Sequence, residues 1–169
     1  MAIISSEIQY RLSGGASNAI ANNSFGGAKS STSITSGAAN NLWDNVSGDE
    51  AAAGDVEYRC IYLHNANASL TWENVVVWID TNTPSTFTTI DIGLGAAAVN
   101  ATETAVANES TAPAGVTFSA PSTKATGLAI GNIPAGQHKA IWLRRTVTAG
   151  AAAVNSDNVV IRAEGDTAA

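Results

Sequence analysis

Residues 55–80 constrain the fold more than any other part of the chain, because they hold its bulkiest apolar clusters. In the first half, residues of like character recur at every second position, which is the period of a β-strand. Residues 64–69 are small or Asn-rich and favour a reversal of the chain. The second half, 72–79, is rich in Val and Trp, which pack well on a sheet and poorly in a helix. The stretch therefore predicts two strands joined by a short loop, with the second strand buried on both faces.

Further strands are predicted on the same grounds, separated by turns rich in Gly, Pro and Asn. Pro134 and Gly136 form one such turn, because proline fixes its own φ and glycine accepts a left-handed one. No amphipathic helix is evident, and the Ala-rich pieces 49–54, 95–99 and 150–154 are too short and Gly-flanked for stable helices. The other predicted strands are 3–12, 87–94, 104–106, 116–119, 128–130, 137–147 and 158–162.

Such a series of short strands predicts an all-β fold, a single-domain antiparallel β-sandwich of immunoglobulin-like or jelly-roll-like type. A length of 169 residues fits one core, so residues 1–169 are assigned to one domain with long Gly/Ser/Ala/Asn-rich loops. The segment 13–41 has too few apolar residues to order itself by burial. It is predicted to be an extended N-terminal arm, either flexible or ordered against a neighbouring subunit.

Charge and composition argue against several classes of function. Charged residues make up 13% of the chain, the net charge is −6, and no basic cluster exists beyond Arg144 and Arg145. A direct role with nucleic acid is therefore not expected, since phosphate binding needs a basic footprint. No apolar run reaches the ~20 residues that cross a bilayer, so no membrane association is expected. The first residues lack a secretion signal, which predicts a soluble protein made in a cytoplasm.

Reactive side chains are scarce and scattered. Cys60 alternates with aromatic residues and is interpreted as a buried apolar residue. Neither His64 nor His138 belongs to a zinc motif, no Gly-x-Ser-x-Gly elbow is present, and a phosphate loop fails because Ala28 precedes Lys29. No catalytic residue, cofactor or metal ion is therefore predicted. A calcium site is the alternative for the loop 42–55, which carries four acidic residues: Asp44, Asp49, Glu50 and Asp55. Their spacing is not that of the usual calcium-binding loop, so a solvated turn is favoured.

Three phrases of the sequence resemble small virion structural proteins of tailed bacteriophages. They are IQYRLSGGAS at 8–17, the region from LWDN to YRCIY at 42–62, and NIPAGQHKAIWLRRTV at 132–147. The resemblance implies a β-sandwich that acts as a head decoration, or capsid cement, protein. Such a protein binds across neighbouring subunits of the major capsid protein as a homo-oligomer, carries no catalytic residues, and is assembled onto the capsid surface in the cytoplasm of the bacterial host.

Two other functions stay open at this stage. A tail, neck or baseplate component would have the same composition, and a carbohydrate-binding module would use exposed Trp or Tyr side chains to stack on sugars. Trp72, Trp78 and Trp142 are assigned to the core. The residues predicted to contact a partner are Phe25, Ile34, Trp43, Arg144 and Arg145.

Overall fold

The computed structural model describes residues 2–167 and contains seven strands in two antiparallel sheets, packed as a sandwich. The prediction of an all-β antiparallel sandwich is confirmed. One sheet has four strands in the order β1-β2-β6-β4, and the other has three in the order β5-β3-β7. The strands are β1 Ile8–Leu12, β2 Asp55–Asn65, β3 Trp72–Thr81, β4 Thr88–Leu94, β5 Leu128–Ile133, β6 His138–Val147 and β7 Val160–Thr167.

The main core lies between the two sheets and follows from the alternation along each strand. On β2, Ile61 and Leu63 point into this core, while Cys60 and Tyr62 lie on the outer face of the four-stranded sheet. That outer face is also buried, because long loops cover it with a second apolar cluster. The assignment of Trp72, Trp78 and Trp142 to buried positions is confirmed. The main cluster includes Leu12, Ile61, Leu63, Trp72, Val75, Val77, Ile79, Ile90, Ile92, Ile133, Ile141 and Leu143.

Three local predictions were wrong. Residues predicted as a loop form a short helix, α1 Gly48–Ala53, because Ser47 accepts a hydrogen bond from the Glu50 backbone and the Glu50 carboxylate accepts one from Ser47 N–H. The stretches 104–106 and 116–119 do not form strands. Next to the first stretch, Glu103 forms an isolated bridge with Gly27, and in the second stretch Ser119 forms one with Ile92.

The segment 13–41 contacts its own chain along much of its length. Ser30 N–H donates to Leu12 O, Leu12 N–H to Thr32 O and Ile34 N–H to Tyr10 O, so residues 30–34 cover the outer edge of β1. Within residues 2–167 this segment is therefore not a detached arm. The sequence argument counted only apolar side chains, whereas backbone hydrogen bonds and three fully buried serines hold the segment: Ser13, Ser24 and Ser30.

Candidate functional site

Three charged side chains are buried together where β2 and β6 pair. Glu57 and Arg145 are directly opposite in the register, and Arg145 Nε donates to Glu57 Oε2 at 2.5 Å. Arg59 lies two residues along β2 and is fully buried, and its Nη2 donates to Glu109 Oε2 at 2.6 Å. Arg145 also donates to the backbone carbonyl of Asp44 at 2.8 Å. These contacts join β2 and β6 to the loops that carry Asp44 and Glu109.

Aromatic rings complete this charged cluster. The guanidinium carbons of Arg59 and Arg145 both lie 5.0 Å from the ring centre of Trp43, and Arg59 also lies 5.2 Å from that of Phe25. An arginine held within about 6 Å of an aromatic face is attracted by the ring. Phe25 and Trp43, both half-buried, therefore stabilise cations inside the protein.

Glu57 is the acid on which the cluster is centred. Burial raises the pKa of Glu57 to about 7, although the neighbouring arginines act in the opposite direction. Its Oε1 is buried, makes no hydrogen bond within residues 2–167 and lies 3.7 Å from Arg59 Nη2. Carboxylate oxygens of Glu50, Asp55 and Glu57 also lie within 4.8 Å of one another. The guanidinium groups of Arg59 and Arg145 already supply positive charge next to the Glu57 carboxylate.

Arg144 occupies the opposite face of β6. Its Nε and Nη2 donate to Asp91 Oδ2 at 3.0 and 2.6 Å, and its guanidinium carbon lies 5.1 Å from the ring centre of Phe118. The structure thus brings Phe25, Trp43 and Arg145 together and leaves Arg144 in a separate ion pair. Ile34 is half-buried and packs against the main core.

The partners Glu57 and Arg59 were missed as site residues by the sequence reasoning. The sequence does contain a sign of their burial, because both charged residues lie on the same face of β2 as the core residues Ile61 and Leu63. Charged residues in line with core positions indicate a buried ion pair at the end of a strand. Which acid would meet Arg145 depends on the register of β2 with β6, which the sequence pattern did not fix.

A second polar group lies at the other end of the β2–β6 ladder. His64 and His138 are opposite each other in the register, and Gln9 of β1 is opposite His64. Gln9 Oε1 accepts hydrogen bonds from Arg11 Nε at 3.0 Å and Nη2 at 2.6 Å, and it lies 3.4 Å from His64 Nδ1. Lys29 is close enough that its charge lowers the pKa of both histidines. We call Arg11, Lys29, His64 and His138 the cationic patch.

The most reactive side-chain types do not form a nucleophile–base pair in the part of the chain that the structure describes. Cys60 is completely buried, and burial raises the pKa of its thiol. The ring nitrogens of His64 face Gln9 Oε1 and the carbonyl oxygen of Gly136 rather than a hydroxyl or thiol. The buried face of His138 packs edge-on against Tyr62, with ring centres 4.8 Å apart.

Among the described residues, no helix is both long and apolar enough to cross a membrane. No protein-family model, curated protein or solved structure matches the chain.

Proposed function

We propose that this protein is a structural virion protein of a tailed bacteriophage, a head decoration protein that stabilises the capsid by binding across neighbouring subunits. The observation that carries the proposal is the resemblance of residues 8–17, 42–62 and 132–147 to small phage virion proteins. These phrases cover β1, the helix and the first eight residues of β2, and the turn before β6 with β6 itself. They therefore include most of three of the four strands of the larger sheet.

The distribution of charge supports a role in adhesion. Most basic side chains are neutralised within the chain, since salt bridges to acids engage Arg59, Lys124, Arg144, Arg145 and Arg162. The remaining surface is rich in Ser, Thr, Asn and Ala. Such a surface suits binding through shape and many short polar contacts, because it carries few charges that a partner would have to desolvate.

The burial of the aromatic residues weighs against a carbohydrate-binding module. Sugar binding by stacking needs an open aromatic face. None of the ten Trp, Tyr and Phe side chains is among the exposed apolar residues, and all ten lie within residues 2–167. Trp43, the least buried tryptophan, is covered by two guanidinium groups. A tail, neck or baseplate component is the remaining alternative for a structural protein.

A reconstruction of the mature virion tests the proposal and separates its two versions. A decoration protein appears as density on the outside of the head, repeated at every equivalent capsomer boundary, on the order of hundreds of copies. A tail or neck component appears in rings of roughly six or twelve copies on the tail axis. Virions in which the chain is absent would contradict both versions.

A further inference from the structure

The cationic patch contains two of the three basic side chains that form no salt bridge in the described part of the chain. Of the eight Lys and Arg residues, five form salt bridges, and Lys139 donates to the carbonyl oxygens of Gly95 and Ala97. The other two are Arg11 and Lys29, and neither forms a salt bridge within residues 2–167. Arg11 donates to neutral oxygens, from Nε and Nη2 to Gln9 Oε1 and from Nη1 to Ser31 O. In a protein of net charge −6, two positive charges without an acidic partner among residues 2–167 therefore lie next to both histidines of the chain.

The backbone register fixes how the patch is assembled. Arg11 and Gln9 extend from the same face of β1, and Gln9 Oε1 links the Arg11 guanidinium to the ring of His64. His138 lies across from His64 on β6. The fourth contribution comes from outside the sheet, because Lys29 belongs to the segment that folds back over β1. Three strands and one covering segment therefore direct nitrogen donors to one area, and all four side chains are half-buried and still reached by solvent.

The charges that act on the side chains of the patch are all of one sign. Besides burial, the charges of Lys29 and Arg11 lower the pKa of His64, and those of Lys29 and His64 lower the pKa of His138. Arg11 in turn lowers the pKa of Lys29. Every neighbouring charge that acts on these three groups is positive. Independently, His138 Nδ1 is buried without a hydrogen-bond partner among residues 2–167. Buried polar atoms in folded proteins are normally paired.

We propose that Arg11, Lys29, His64 and His138 form a binding site for an oxyanion, either a phosphate or a carboxylate group. Arginine and lysine donate charge-assisted hydrogen bonds to such a group, and the histidines add donors as they become protonated beside it. The site goes beyond the proposed function and does not rest on it. The oxyanion has two sources, a free inorganic ion or an acidic side chain of a partner protein.

The experiment is a titration of the purified protein, followed by the ring proton NMR signals of its two histidines. Inorganic phosphate is added at constant ionic strength in one arm, and a tetraglutamate peptide in the other. We expect saturable shifts of both histidine signals, and Lys29→Gln should weaken the binding by about tenfold, as expected for the loss of one charge-assisted contact. Lys124→Gln is the matched control, because it removes the same charge from a salt bridge with Glu164 and should bind as the unmodified protein does.

Each outcome of the titration decides the proposal. Saturable binding of phosphate that depends on Lys29 supports the site with a free ion as its ligand, and binding of the peptide alone supports it with a partner's carboxylate as its ligand. The absence of any shift in both arms would overturn it. Shifts that never saturate, or that Lys29→Gln and Lys124→Gln change equally, would also overturn it, because they would report ionic strength and not a site. Lys29→Gln should fold normally, since its amino group makes no salt bridge with the described residues. An unchanged midpoint of urea denaturation in the free variant would verify this.

Discussion

At the scale of single residues, the two consecutive arginines of β6 illustrate how a strand gives like side chains different surroundings. Successive side chains of a strand point to opposite faces. Arg145 is buried against Glu57 and Trp43, whereas Arg144 is about one-third exposed and pairs with Asp91. A buried ion pair contributes little net stability, but removal of one partner leaves the other charge in a medium that cannot solvate it.

The first prediction concerns this pair of arginines. Arg145→Met should lower the free energy of unfolding by about 3–5 kcal/mol, because it leaves the Glu57 carboxylate buried without its main partner. Arg144→Met, on the same strand, should cost about 1 kcal/mol or less, since its ion pair reaches solvent. Urea denaturation of both variants measures the difference. Equal losses in the two variants would contradict the assignment of Glu57 and Arg145 as a buried pair.

The second prediction concerns His138. Burial and the charges of Lys29 and His64 lower the pKa of His138 from 6.5 to about 4. Between those values the unfolded chain binds a proton that the folded chain does not, so this residue's contribution to stability is present above pH 6.5 and is lost as the pH falls towards 4. The variant His138→Phe has no imidazole at this position, so its free energy of unfolding does not lose this contribution as the pH falls.

Urea denaturation in buffers free of phosphate at several pH values checks this prediction. The free energy of unfolding of the unmodified protein, minus that of His138→Phe, should decrease steadily from pH 7 to pH 4. Glu57 titrates with the opposite sign, because burial raises its pKa, but it does so in both proteins and cancels in the difference. A difference that stays constant or grows on acidification would contradict a lowered pKa for His138.

At the scale of elements, the outer face of the four-stranded sheet depends on segments with no regular structure of their own. The hydroxyl of Tyr62 on β2 joins two of them, donating to Gly27 O at 2.6 Å and accepting from Glu103 N–H at 2.8 Å. Nearby, Cys60 N–H donates to Ser24 O and Tyr58 N–H to Glu109 O. The backbone N–H groups of Tyr58 and Cys60, which pair with no strand, thus find their hydrogen-bond acceptors in the two long loops.

The third prediction is that Tyr62→Phe loosens both loops while the sheet persists. The buried Glu103 N–H and the half-buried Gly27 carbonyl both lose their partner, so the free energy of unfolding should fall by about 1–3 kcal/mol. Hydrogen exchange should become faster in residues 24–31 and 103–106, which the hydroxyl anchors, and stay slow in β2 and β6. Tyr10→Phe is the control, because its hydroxyl lies a longer 3.4 Å from the Ile161 carbonyl. Equal effects of the two substitutions would contradict an anchoring role for Tyr62.

The sequence predicted the elements that depend on local pattern and missed those that depend on pairing. The strands around Tyr62, Trp78 and Trp142 were recognised because apolar periodicity is a property of neighbouring residues. The folding back of residues 30–34 onto β1 was missed, since its hydrogen bonds join backbone groups and leave no signature in side-chain type. The helix Gly48–Ala53 was missed because the pair Ser47 and Glu50 was not recognised as a capping box.

The same distinction applies to the candidate sites. Phe25, Trp43 and Arg145 were singled out from the sequence as partner-binding residues, and in the structure they share one buried cluster. The cationic patch was not foreseen. Its members lie at positions 11, 29, 64 and 138, and only the register of three strands and one covering segment brings them together. Contacts between residues so far apart in the sequence follow from topology and not from local pattern.

At the scale of the whole molecule, the sandwich buries four charged side chains among residues 2–167: Glu57, Arg59, Glu103 and Arg145. Two sheets and their covering loops enclose the aromatic residues, Glu57, Arg59 and Arg145, while small polar residues form much of the exterior. Such a molecule is well suited to lie against another protein over a broad area. The half-buried cationic patch is the part of this surface for which we propose a particular chemical partner.

The central claim, that this protein decorates and stabilises a phage head, is tested most directly by adding the purified protein to heads that lack it. The measurement is the temperature at which the heads release DNA, together with the number of copies bound per head at saturation. We predict binding on the order of hundreds of copies, as symmetry requires for a component present at every capsomer boundary, and a higher release temperature. Heads that bind none of the added protein, or that release DNA at an unchanged temperature when saturated with it, would contradict the claim.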